Sequence, residues 1–522
     1  KMQLLYLWAL LLASLGHVFG YSYLMVVPTT SKSHFYVAQA LAKGLVAAGH
    51  EVTMVSAFPQ KKPIKNFRDV ALTGVIPIMA AHKSRILENS KKSMIQRLPI
   101  FHGMGLDLTT ALLEEPAVQS LLKENRTFDG VICEVFINEA HFGFAEHFKA
   151  PLIGLSTFGA SSWTTDMVGT PSPTSYVPHV MLQFSDRMSF WERTQNLLYT
   201  AYEFAYQRLI YFPKQEQLYR KFFPHNKQDF YRMRGNASLV LLNNHVSLSF
   251  PRPYAPNMIE VGGMHVQRQR KSLPQDIEKF INGAKHGVIY FSMGSNLRSA
   301  DLPQHKRNAL VATFRGLKQR VLWKFEDSKL PEKPDNVFIS DWFPQDDILA
   351  HENVKLFITH GGLLSTTESI YHGTPVLGIP MFGDQFMNMA RAEQSGYGVA
   401  VRFDQLTTES LRSAIDKVIS DPSYTIQVRA MSERFRDQHE TPLERAVYWV
   451  EHVTRQKGAN YLRSAAQDLT FIKYNNLDVL AMLFGGVILL LLVVICLLVV
   501  VFKLISGKLT RAVGNSNKVK RN

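Results

Sequence analysis

Cysteine is almost missing from this chain: Cys133 and Cys496 are the only two in 522 residues. Cys496 lies in an apolar run, so the two have no reason to pair. A disulfide framework is excluded, and so is a thiolate metal site. H-E-x-x-H does not occur, which removes the familiar helical zinc signature. Asp-x-Asp, a spacing that can hold a hard divalent cation, does not occur either. Acidic residues are outnumbered, 43 against 58 Lys and Arg, for a net charge of +15. A basic excess can serve nucleic acid or an anionic membrane surface. Here it is spread out, with no basic helix carrying interleaved aromatics, so no nucleic-acid partner is expected. With 46% apolar and 19% charged residues the composition is globular, and 522 residues exceed one ordinary core, so two domains are expected.

Long apolar runs are confined to the ends. Leu4–Leu15 follows Lys1 and leads to Val18-Phe19-Gly20, the pattern of a signal peptide over residues 1–20. Val479–Phe502 carries no charge over 24 residues, about 36 Å as a helix against a hydrocarbon core of about 30 Å. Asp478 and Lys503 bracket it, and the basic tail 503–522 should stay cytosolic. A lumenal body, one span and a cytosolic tail follow, which is a type I arrangement. Lys518 and Lys520, fifth and third from the end, resemble a dilysine signal for the endoplasmic reticulum. The sequons at Asn125 and Asn236 would then be lumenal and open to glycosylation.

Between the ends the chain reads as two α/β halves, residues 21–250 and 287–450, with a linker at 251–286 and a helical segment at 451–478. Tyr23–Val27, a loop, a helix from about His34 to Ala48, and Glu51–Val55 make a parallel-sheet unit. Val131–Glu134 and Leu152–Ser156 extend that sheet. Val288–Ser292, Val321–Phe325, Val337–Ser340, Leu356–Thr359 and Val376–Ile379 supply a second one. The aromatic-rich segment from Pro171 to Pro224 is expected to be helical, beside a pocket, against a membrane, or as an ordinary core helix pair. Ligands of doubly wound sheets bind at the carboxyl ends of the strands.

One such end carries chemistry. Leu356–Thr359 runs into His360-Gly361-Gly362, and Ser365-Thr366-Thr367-Glu368 opens a helix. Glycines permit close backbone approach, and a helix N-terminus offers free N–H groups to a diphosphate. Ser365 and Thr366 add hydroxyl donors. Taken alone, such a turn is common in βα units.

Its surroundings are not. Trp342-Phe343-Pro344-Gln345, His360-Gly361-Gly362, Glu368, His372-Gly373-Thr374-Pro375 and Phe382-Gly383-Asp384-Gln385 resemble the signature of the UDP-glycosyltransferase family. The resemblance extends to Ser33-His34, to Gly49–Thr53, to Arg445–Trp449, and to the anchor and tail. It implies a GT-B fold: two doubly wound, Rossmann-like domains facing a cleft, plus one C-terminal transmembrane helix. The acceptor would lie in the first domain and the UDP-sugar in the second.

The same resemblance implies the roles. Trp342 would stack on uracil beside Gln345. Gly294, Ser295, His360, Gly361, Gly362, Ser365 and Thr366 would surround the diphosphate, and Ser33 would also contact the UDP-sugar. Glu368 would take the ribose hydroxyls, and Asp384 and Gln385 those of the sugar. His34 would be the general base on the acceptor hydroxyl, oriented by a carboxylate. The family places Asp there; this chain has Glu134. A second departure is Leu364, where many vertebrate members have Asn. Leu363-Leu364-Ser365 resembles the arthropod branch, which favours UDP-glucose over UDP-glucuronic acid. Attack in one displacement inverts the anomeric carbon, and no metal or other cofactor is expected. The acceptor would be a small lipophilic compound, the enzyme's setting the endoplasmic-reticulum membrane; a homo-oligomer is left open. A non-catalytic binding protein on the same fold, and a transferase acting on lipids or proteins, are the alternatives.

Overall fold

The computed structural model describes residues 20–89, 92–266 and 271–519. The leader assigned at 1–20 falls almost wholly outside the described residues, as does the tail from Lys520 onward. The chain divides into a body ending at Ser464 and a C-terminal unit from Ala465.

The body holds two parallel sheets. The first contains β1 (Ser22–Val27), β2 (Glu51–Ser56), β3 (Phe67–Ala71), β4 (Gly130–Glu134), β5 (Leu152–Ser156), β6 (Leu239–Leu242) and β7 (Met258–Glu260), in the order β3-β2-β1-β4-β5-β6-β7. The second contains β8 (Val288–Ser292), β9 (Arg320–Lys324), β10 (Val337–Ser340), β11 (Val354–Thr359), β12 (Val376–Gly378) and β13 (Gly398–Ala400), in the order β10-β9-β8-β11-β12-β13. Strands such as Tyr23–Val27 are apolar without alternation because helices cover both faces. The order reverses between β1 and β4, and again between β8 and β11. A crevice opens at such a switch point, because neighbouring loops leave in opposite directions.

Three boundaries differ from the sequence reading. The linker is shorter than 251–286. Met258–Glu260 is an edge strand of the first sheet, and Ile277 and Ile281 of the helix Gln275–Asn282 pack with Val288 in the second core. Pro and Gly punctuate this stretch, yet its few apolar residues suffice for burial on either side. The second half does not keep everything up to 450. The helix Pro442–Arg455 returns to the first half and buries Ala446, Val450 and Val453 with Tyr23 and Leu41. His50 Nε2 to Glu451 Oε1, 2.9 Å, ties that return. Finally, residues 171–189 form turns rather than helix, because Pro171, Pro173 and Pro178 interrupt the backbone bonds. Helix begins at Phe190 with a Ser189–Glu192 capping box. It buries Asn196, Tyr199 and Glu203 and leaves Phe190, Trp191, Leu197 and Leu198 exposed.

The C-terminal unit carries the helix Leu477–Val519. Its stretch Leu477–Thr510 spans 34 residues at a mean hydropathy of 3.5 in its most apolar window, with none of that window buried. It contains the expected Val479–Phe502 run and is long enough to cross a bilayer.

Candidate active site

Both switch points face one cavity of about 1020 Å³. On the first sheet, β1 ends in the loop Pro28–Ser31, and the helix Lys32–Ala47 starts at Lys32. His34 therefore lies in the first helical turn, at the mouth of the switch point. Glu134 is the last residue of the neighbouring strand β4 and is fully buried. His34 Nδ1 and Glu134 Oε1 are 2.5 Å apart. The second carboxylate oxygen accepts from Thr29 Oγ1 at 2.7 Å and from the Thr29 N–H at 3.3 Å. Thr157, just past β5, puts its hydroxyl 3.0 Å from the same Nδ1. Nδ1 is thus committed, and Nε2 is the nitrogen left to the cavity.

Aromatic rings build the rest of this wall. The His34 ring meets Phe136 edge-on at 4.8 Å and Phe158 at 5.2 Å. Phe101 stacks on Trp163 at 5.7 Å. The Trp163 indole N–H is held by buried Glu203 at 3.2 Å, so this ring is fixed in orientation. Such a wall suits a flat apolar guest.

The second sheet supplies polar groups. His360 follows β11 and packs against Gly294, which follows β8 with φ +77°. A Cβ at Gly294 would collide with the His360 ring, and the same holds for Gly362. Burial lowers the His360 pKa to about 4, and the Lys324 ammonium adds to that. The imidazole is therefore neutral near pH 7. Lys324 ends β9 and donates to the Gly294 carbonyl at 2.9 Å and to Glu326 Oε1 at 2.8 Å, so an ion pair braces the glycine turn from behind. The helix Leu363–His372 begins at the Gly362 cap and presents its first free N–H groups there.

Trp342 is 48% exposed, a large value for an indole in a cavity wall, with the Lys32 ammonium 5.0 Å from its ring centre. Gln345 Nε2 donates to Glu368 Oε2 at 2.5 Å and to Ser365 Oγ at 3.2 Å. Burial pushes the Asp384 carboxyl up; the Asn388 amide and His34 pull it back. Gln385 uses its carbonyl oxygen on the N–H groups of Met381 and Phe382, at 2.9 and 3.1 Å.

The cavity is lined by Ser33, His34, Gly294, Ser295, Trp342, Gln345, His360, Gly362, Ser365, Glu368, Asp384 and Gln385. Two expected donor residues are not brought to it. Thr366 turns its hydroxyl back onto the Leu363 carbonyl at 3.0 Å, as threonine does inside a helix. Gly361, at φ +81°, makes room for Met389 rather than for a ligand. Leu364 has a packing role: it lies against the apolar cluster of the first sheet together with Leu443. Asn125 and Asn236 are both exposed.

Sequence reading missed Thr157, Lys324 and the aromatic wall. Thr157 and Lys324 sit at the carboxyl ends of recognised strands, which is a usable signal. The aromatics come from separate loops and give none.

Doubly wound sheets whose switch points share one cleft, one side apolar around a histidine and the other polar around a helix N-terminus, define a GT-B glycosyltransferase. The chain belongs to the UDP-glycosyltransferase family: a family model described as UDP-glucoronosyl and UDP-glucosyl transferase matches residues 23–518. The chain is 36% identical to UDP-glycosyltransferase UGT5 of Dactylopius coccus over 89% of both chains. It is 35% identical to UDP-glucosyltransferase 2 of that insect, over 89% of this chain and 90% of the relative. It is 30% identical to UDP-glucuronosyltransferase 2A3 of Mus musculus over 96% of both. Among solved structures, the glycotransferase of kitacinnamycin aligns over 83% of this chain and 99% of its own with a TM-score of 0.57, at 18% identity.

Proposed function

We propose that this protein transfers glucose from UDP-glucose to the hydroxyl of a small, flat, lipophilic acceptor, with inversion and without a metal. The observation that carries the reading is the His34–Glu134 pair, set between an aromatic wall and the polar second sheet.

In the transfer, the acceptor O–H gives its proton to His34 Nε2 as its oxygen bonds to the anomeric carbon. The bond from that carbon to the diphosphate breaks, and UDP leaves with the electron pair. Glu134 stabilises the imidazolium formed, as the buried carboxylate does in hydrolase triads. The helix at Gly362 and the Ser295 and Ser365 hydroxyls face the developing negative charge. Among the described residues, no group of three or more His, Cys, Asp or Glu is placed to hold a metal ion. Trp342 stacks on uracil, Glu368 takes ribose hydroxyls, and Asp384 and Gln385 take the sugar. The apolar helix from Leu477 is read as an anchor in the endoplasmic-reticulum membrane, with the body and exposed Asn125 and Asn236 lumenal.

UDP-glucuronic acid is the second reading. The Lys83 ammonium favours it: it lines the cavity and donates to the Thr30 carbonyl at 3.3 Å, its one hydrogen bond among the described residues. Burial lowers its pKa, and Lys32 nearby lowers it further, so a carboxylate there would be welcome.

Initial rates with both donors, over a panel of phenols and with or without EDTA, test the proposal. UDP-glucose should lead by about tenfold or more, the discrimination expected of a built polar site, and EDTA should leave the rate unchanged. A faster reaction with UDP-glucuronic acid overturns the donor, and loss of activity in EDTA overturns metal independence.

Trp342→Ala should weaken UDP by about fivefold or more, since stacking on a base is worth roughly 1–3 kcal/mol. Calorimetry on the full chain measures this. An unchanged affinity removes the stacking assignment.

A further inference from the structure

His265 has no part in the scheme above, yet its setting is unusual. Its side chain is 6% exposed and lines the cavity. Neither ring nitrogen has a hydrogen-bond partner among the described residues. Nε2 lies 3.4 Å from Glu368 Oε1, close enough to feel the charge but not bonded to it. The other Glu368 oxygen is taken by Gln345.

The backbone puts His265 there firmly. Gly262 is pressed against the Asn244 backbone, and Gly263, at φ +92°, against the Phe435 ring; a Cβ on either would clash. Met264 is buried in the core of the first sheet. The next residue therefore leaves the first half and delivers an imidazole to the nucleotide side of the second. A buried imidazole with two idle nitrogens is costly unless something completes it.

We propose that His265 binds the ribose of the donor, closing a clamp on the vicinal diol with Glu368. This rests on the UDP-sugar reading. The chemistry is complementary. A carboxylate only accepts hydrogen bonds, whereas each ribose hydroxyl both donates and accepts. Glu368 accepts the hydroxyl protons, and His265 supplies the N–H that one hydroxyl oxygen lacks. The location agrees: Trp342 and Gln345 mark the base end, His360 the diphosphate end, and Glu368 with His265 lies between. Because His265 follows a core residue of the first half, donor binding engages the crossing between the halves directly.

The test uses the full chain in detergent with two probes, UDP and 2′,3′-dideoxy-UDP, on the wild type, His265→Ala and His265→Gln. In His265→Ala the Kd for UDP should rise about tenfold, the loss of one buried hydrogen bond. The dideoxy probe should bind wild type and variant equally. The KM for the UDP-sugar should rise in step, with kcat and the acceptor KM unchanged. His265→Gln keeps a donor and should recover most of the UDP affinity. Unchanged UDP binding in His265→Ala overturns the proposal. An equal loss for the dideoxy probe also overturns it, because the residue would then be structural only. If the wild type binds no UDP, the UDP-sugar reading itself falls; if it binds UDP and His265→Ala is indifferent, only the clamp falls.

Discussion

His34→Ala is expected to lower the transfer rate by about 10³-fold, within the range that a positioned general base supplies, while UDP binds as before. The reason lies in the separation of duties across the cleft. His34 stands on the first sheet among Phe136 and Phe158, whereas the groups assigned to the nucleotide stand on the second. Removing the imidazole also strands Glu134, which is fully buried and would keep only the Thr29 donors. Stability should fall by roughly 1–3 kcal/mol for a buried acceptor left short of a partner. His34→Gln separates the two effects. Its amide can still donate to Glu134, so the melting temperature should recover, but an amide cannot take a proton and the rate should not. Initial rates, UDP affinity by calorimetry and thermal unfolding, measured together, decide the matter. Retention of more than about a tenth of the rate in both variants would remove the base assignment, since a base worth 10²-fold or more cannot be that dispensable.

The two halves of this site were unequally legible in the sequence, and the reason is topological. Most donor residues come from one stretch, Phe357 to Gln385, wrapped around the βα turn after β11, so their spacing is fixed locally. The acceptor wall gathers residues 34, 101, 134, 157 and 163 from ends of different elements, and no period or motif links them. The helix Met94–Glu114 shows how local signals mislead. It contains Pro99 and Gly105, both poor helix formers. Pro99 removes the N–H that would have bonded the Ile95 carbonyl, and the Tyr202 hydroxyl donates to that carbonyl instead, at 3.2 Å. Gly105 lets the helix press against the Ile137 backbone. Tertiary contacts thus offset both defects. The helix Pro442–Arg455 is the reverse case. Its capping box at Thr441 and Glu444 and its apolar stripe are plain, but a stripe does not say which sheet it will cover.

Glu134→Gln should cost more than its small change in shape suggests: a rate loss of the order of 10²–10⁴-fold, by analogy with removal of the carboxylate's charge from a hydrolase triad. Thr29 dictates how the glutamine amide must sit. Its hydroxyl and its N–H both donate to Oε2, so the glutamine carbonyl must take that position. The amide nitrogen then faces His34 Nδ1, where the carboxylate accepted at 2.5 Å. Since an amide N–H only donates, Nδ1 must become the acceptor, and the ring proton moves to Nε2, the nitrogen that has to receive the acceptor's proton. The base is then present, correctly placed and in the wrong tautomer. The negative charge that would steady the imidazolium is also gone. Glu134→Asp keeps the charge and shortens the reach by one methylene, so it should retain the tautomer and lose only about tenfold, the effect of a slightly misplaced partner. Initial rates at saturating donor and the nitrogen-15 chemical shifts of His34, which report the tautomer, test this. If Glu134→Gln were as active as Glu134→Asp, the carboxylate would be a mere spacer and the pairing with His34 would have no catalytic meaning.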